Sequence, residues 1–73
     1  DLLFCLGKLA TNLEFFDEAR EFFMKSLSIN PSPEACMEVG NLSALLGDSE
    51  ESLRYFRKGM KLGEKISRKL ALL

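Results

Sequence analysis

Residues 39–62, VGNLSALLGDSEESLRYFRKGMKL, restate residues 6–29, LGKLATNLEFFDEAREFFMKSLSI, at a displacement of 33 positions. Under that displacement Gly7 falls on Gly40, Leu9 on Leu42, Leu13 on Leu46, Glu18 on Glu51, Phe23 on Phe56 and Lys25 on Lys58. Conservative pairs fill the frame: Leu6 over Val39, Phe22 over Tyr55, Leu27 over Met60 and Ile29 over Leu62. A period in the thirties, with helical spacing inside each copy, predicts an all-α repeat in which one helical hairpin buries its apolar face against the next.

Working outward, Leu2, Leu3, Leu6, Leu9, Ala10 and Leu13 recur at three- and four-residue steps and predict an amphipathic first helix over about 2–13. After a short turn at 14–16, a second helix runs over about 17–29, with Asp17 and Glu18 in its first turn and Ala19, Phe22, Phe23, Leu27 and Ile29 on its inner face. Asn30-Pro31 ends it, because a residue before proline is pushed out of the helical region. Ser32-Pro33-Glu34 starts the next: Ser32 as N-cap, Pro33 where a missing N–H costs nothing, and Glu34 at the positive end of the helix dipole. That third helix covers about 33–46 and stops at Gly47. Asp48 with Glu51 resembles a capping box and starts a fourth helix near 49, which carries Leu53, Tyr55, Phe56, Met60 and Leu62 inward. Gly63 either ends that helix or is passed through at about 1 kcal/mol relative to alanine. Beyond it, Ile66, Leu70 and Leu73 with Lys65, Arg68 and Lys69 describe a last amphipathic helix, or a prolongation of the fourth.

With 73 residues, 47% of them hydrophobic, the chain reads as globular, and as one small domain or a piece of a longer protein. Its first residue is not methionine, which reads as a boundary inside a longer chain. No apolar run approaches the roughly 18 residues a membrane-spanning helix needs. Cys5 and Cys36 are expected to be buried free thiols, since an unpaired cysteine behaves as a small hydrophobe; a disulfide would need their Cα atoms within about 7 Å. The chain has no histidine, which argues against zinc and haem-iron sites and removes the commonest general base. Residues 1–53 carry three basic and ten acidic side chains, a net −7, whereas residues 54–73 carry seven basic and one acidic, a net +6. Acids at helix starts and cations near a C-terminal helix end account for such a split; a partner with an anionic surface is the alternative.

Each copy resembles a tetratricopeptide repeat. The first has Leu3, Leu6, Gly7, Ala10, Ala19, Phe23, Ser26 and Pro31 at the signature offsets, and the second has Cys36, Val39, Gly40, Ser43, Ser52, Phe56 and Gly59. Leu3 and Cys36 replace the usual bulky aromatic, Glu14 replaces the glycine between helices, and Glu64 stands where a proline is usual. Those departures suggest a looser turn in the first copy and a continuous final helix. The resemblance implies repeat one at 1–32, repeat two at 33–63 and a capping helix at 64–73. More narrowly, Leu2-Leu3, Leu6-Gly7, Ser26-Leu27, Pro31-Ser32-Pro33-Glu34-Ala35 and Tyr55-Phe56-Arg57-Lys58-Gly59 are similar to the C-terminal repeats of HemY-type proteins, which are bacterial, anchored in the inner membrane and associated with haem biosynthesis. A general bacterial tetratricopeptide protein is the alternative. The narrower likeness implies a cytoplasmic segment tethered by an upstream anchor, with no haem contact required of these residues.

The family resemblance also implies a function: a non-catalytic scaffold whose first helices line a concave groove for a protein or peptide. By offset, the groove-facing side chains are Asp1, Phe4, Lys8, Thr11 and Asn12 in copy one and Glu34, Met37, Asn41, Ala44 and Leu45 in copy two. Phe4 and Met37 would be apolar anchors, and Lys8, Asn12 and Asn41 hydrogen-bonding groups; the alternative is that Phe4 and Met37 only complete packing between adjacent helices. Phe4 stands where a carboxylate-gripping relative needs a lysine, so that mode of binding is not expected. Two-repeat units expose apolar flanks, which makes a homo-oligomer a second expectation. A third is that Lys61, Lys65, Arg68 and Lys69 lie on an anionic surface, with nucleic acid not the expected partner. No cofactor is implied. The acid pairs Asp17/Glu18 and Glu50/Glu51 sit at helix starts, where adjacent residues do not face each other, and no nucleophile motif or phosphate-cradling loop is present.

Overall fold

The computed structural model describes residues 2–71, and the side chains of residues 2–69. Among these there are four helices and no strand: α1 (Leu2–Asn12), α2 (Phe16–Ile29), α3 (Pro33–Leu45) and α4 (Ser49–Ala71). Each packs on its neighbour in the chain, α1 on α2, α2 on α3 and α3 on α4, within an envelope of 41 × 27 × 18 Å. This is an all-α fold of two helix-turn-helix units, with the C-terminal cap continuous with α4.

The helix boundaries follow from local chemistry. Asn30 is extended and closes α2, donating its N–H to the Ser26 carbonyl. Ser32 is the N-cap of α3, its Oγ accepting from the Ala35 N–H at 3.2 Å, and Pro33 occupies the first turn. Asp48 caps α4 by accepting from the Glu51 N–H at 3.2 Å. Position 15, one repeat earlier, holds Phe15, which gives α2 no side-chain cap.

The turn of the first copy is not looser, contrary to the expectation from Glu14. Glu14 takes φ 64 and Gly47 takes φ 86, both left-handed. Their hydrogen bonds match one for one: Glu14 N–H to Thr11 O and Phe15 N–H to Ala10 O, against Gly47 N–H to Ala44 O and Asp48 N–H to Ser43 O. Glutamate accepts a backbone conformation that favours glycine, at a cost of roughly 1–2 kcal/mol, because the surrounding helices dictate the turn.

Ala10, Ala19, Phe23, Val39 and Leu42 form the buried core, with Phe4, Phe16, Phe22, Met24, Leu27 and Tyr55 packed around it. The glycines explain how the helices of each pair come so close. A Cβ on Gly7 would lie 2.8 Å from the Phe23 ring, and one on Gly40 would lie 2.8 Å from the Phe56 ring. The two copies therefore use one contact twice. Ser43 stands where the first copy has Ala10, and its buried Oγ has no hydrogen-bond partner.

Several apolar positions are exposed: Leu2, Leu9 and Leu13 of the first helix's apolar stripe, and, among those assigned to inner faces, Ile29 at the end of α2 and Leu53 and Met60 on α4. Periodicity identifies an apolar stripe, but only a covering neighbour buries it. Cys5 is likewise exposed, contrary to expectation, while Cys36 is buried, and both thiols are free. Helix α4 passes through Gly63 without a break, so the last amphipathic segment is a prolongation and not a separate helix. Of the residues assigned to that segment or to the groove, Asp1, Leu73 and the Leu70 side chain lie outside the described residues.

Candidate interaction face on the first and third helices

Among the described residues, the groove positions carried over by offset come from α1 and α3, which are linked by Lys8 and Glu38. Lys8 Nζ lies 3.3 Å from Glu38 Oε1 and 5.6 Å from the centre of the Phe4 ring. The pair is solvent-accessible, so it contributes at most about 1 kcal/mol and leaves the ammonium able to exchange Glu38 for another carboxylate. Glu38 was not singled out in the sequence, although an acid beside Met37 on the facing helix is the signal that finds it.

Phe4 and Met37 are equivalent by offset yet differ in environment. The Phe4 ring meets Phe23 edge-on, with centroids 5.2 Å apart and planes at 67°, and is half-buried against the core. The ring thus packs onto α2. Met37 is 45% exposed, and Leu45 is also open, which leaves α3 with the accessible apolar surface of this face. Asn12, Asn41 and Ala44 are exposed as well, and Glu34 lies exposed in the first turn of α3. Thr11 directs its hydroxyl back to the Gly7 carbonyl at 2.8 Å, so that donor is already engaged within α1.

Below this face, Cys36 packs where a Gly59 Cβ would come within 3.1 Å of its own Cβ. Burial pushes the Cys36 thiol above its ordinary value, against a smaller opposing pull from the Lys58 ammonium. That thiol is protonated and enclosed, and does not contribute to the surface. Among the described residues, no three His, Cys, Asp or Glu side chains gather in a way that could hold a metal ion, and no helix is long and apolar enough to cross a membrane.

Paired helices in equivalent copies, joined by one repeated glycine–phenylalanine contact, define a helical repeat protein. The chain belongs to the tetratricopeptide-repeat family: the family model described as Tetratricopeptide repeat matches residues 1–33 and again residues 33–65. Repeats of this family mediate contacts between proteins. No curated protein matches the chain.

Proposed function

We propose that the chain is a non-catalytic protein-interaction module and that the face shared by α1 and α3 receives a segment of a partner protein. The observation that carries this reading is Met37, an apolar side chain left open on α3, next in sequence to Glu38, which pairs with Lys8 of α1, and one turn before the exposed Asn41. An apolar anchor beside polar groups that fix orientation suits a helix or an extended peptide laid into a groove. Phe4 supports the floor of the face through Phe23, so its truncation would disturb packing as well as binding. The test therefore uses Met37→Ala and Asn41→Ala, exposed positions whose loss leaves the core intact. Titration of a partner recovered by affinity capture is expected to show about tenfold weaker binding for Met37→Ala, or about 1.4 kcal/mol. An unchanged Kd for both variants would remove the face from consideration.

The repeat boundaries 1–32 and 33–63, with a cap at 64–73, belong to this reading, as does the narrower likeness to bacterial HemY-type proteins. Two membrane-spanning helices encoded upstream would support that likeness. A second use is favoured by one observation: Lys61, Lys65, Arg68 and Lys69 are all exposed on the distal part of α4. An anionic membrane surface suits that arrangement. Co-sedimentation with vesicles containing phosphatidylserine, but not with neutral vesicles, would support it; binding to neither ends it.

A further inference from the structure

Lys8 of α1 and Glu38 of α3 form one rung between these two helices, 3.3 Å apart. Four residues earlier on each helix, and therefore one turn back on the same face, stand Phe4 and Glu34. These two line a single hollow of about 190 Å³, together with Ser26 and Asn30 from the end of α2 and Ser32 from the turn before α3. The first rung joins a cation to an acid. In the second, the Glu34 carboxylate is exposed and, among the described residues, no cation pairs with it.

What the hollow accepts follows from its lining. Glu34 brings a full negative charge and only acceptor atoms, and the Asn30 side-chain carbonyl and the Ser32 hydroxyl add acceptor oxygens. Phe4 adds a ring whose face attracts cations; Lys8 already lies 5.6 Å from its centre, with Glu38 to offset the charge. Helix α2 ends at this place with no basic residue in its last turn, so no side chain compensates its negative pole. The positive pole of α3 is also close, but the Ser32 cap and Glu34 itself meet it. An anion would face Glu34 and the end of α2, whereas a cation is favoured by both.

We propose that this hollow receives one lysine or arginine side chain of the partner segment, its ammonium or guanidinium held by the Glu34 carboxylate beside the Phe4 ring, with Asn30 and Ser32 at the edge and the buried Ser26 at the base. The proposal rests on the reading of α1 and α3 as the partner-binding face and adds the partner's chemistry: a basic residue close to an apolar one. Met37 stands three residues after Glu34 on α3, so the two are neighbours on the helix surface. Residues 1–53, with three basic and ten acidic side chains, favour the approach of a basic segment in the same sense. Because Glu34 is exposed, the charge pair adds little affinity, and its effect is to select one partner over another.

The test selects binders from a random-peptide phage library on the whole chain and titrates the tightest peptide into wild type, Glu34→Gln and Met37→Ala. The selected peptides are expected to share a lysine or arginine, and Glu34→Gln is expected to bind about fivefold more weakly. Replacing that basic residue of the peptide by methionine is expected to cost the same factor on wild type and nothing further on Glu34→Gln, a coupling that a purely structural role of Glu34 would not produce. The peptide substitution leaves the wild-type protein untouched, so that arm of the measurement does not depend on how the variant folds. Peptides without a shared basic residue, or a basic residue whose loss costs as much on Glu34→Gln as on wild type, would overturn the proposal. If either is found while Met37→Ala still weakens binding, the face on α1 and α3 stands and only the cation site falls. A library that yields no binder, or binding indifferent to both variants, removes the face and the site together.

Discussion

At the scale of single residues, the structure is most informative where the two copies hold different side chains in one conformation. Glu14 and Gly47 both turn left-handed, but only glycine does so without a steric penalty. Glu14→Gly should therefore raise stability by about 0.5–1 kcal/mol, the strain relieved less the added freedom of the unfolded chain, as read from urea denaturation. A loss of stability would show that Glu14 makes a contact worth more than its strain. The cysteines divide in the same local way. Cys5 should react with a thiol reagent at once and Cys36 only when the fold opens, with both reacting rapidly in denaturant. Because burial raises the Cys36 thiol above its ordinary value, ionisation is easier in the unfolded chain. Its contribution is present at neutral pH and should be lost as the pH rises through the range in which the unfolded thiol ionises and on to the folded value, lowering stability in alkaline solution. Equal labelling rates for the two thiols in the native protein would contradict the burial of Cys36.

At the scale of elements, the boundaries were legible because they rest on local chemistry. Ser32-Pro33 and Asp48 through Glu51 each mark a helix start within the span of one turn, and the structure places caps at both. The exposure of Leu9, Leu53 and Met60 was not legible, since spacing says that a face is apolar and is silent about what lies across it. The same holds for the candidate site: the offset put Phe4 and Met37 on equivalent positions, but it does not say that the Phe4 ring meets Phe23 while the Met37 side chain stays 45% exposed. Gly63 is a case where sequence left two outcomes and structure chose one. It lies inside α4, with nothing within 4 Å of a Cβ placed there. Gly63→Ala should add about 1 kcal/mol to the helix and deepen the 222 nm ellipticity. No change, or a loss of helicity, would indicate that α4 breaks at this point.

At the scale of the whole molecule, the account depends on the two units being held by the same contact. Gly7 lies against the Phe23 ring and Gly40 against the Phe56 ring, each leaving no room for a methyl group. Gly7→Ala and Gly40→Ala should each destabilise the protein by about 1–3 kcal/mol through overpacking, despite the better helix propensity of alanine. A neutral result at either site would mean that its helix pair is more loosely packed than described. Stability of this size is a large share of what a small domain possesses, so the two glycines constrain the fold more than their size suggests. The contact of α2 with α3 joins the two units, and Lys8 of α1 meets Glu38 of α3 across them, which is the arrangement the proposed partner-binding role uses.

That role is tested most directly by nitrogen-15 chemical-shift mapping of the labelled chain during titration with its partner peptide. The account predicts that the shifts concentrate on the amides of Lys8, Asn12, Met37, Asn41 and Leu45, with α2 and the outer side of α4 unperturbed. Shifts confined to α2 and α4, with the amides of α1 and α3 unmoved at saturation, would contradict it.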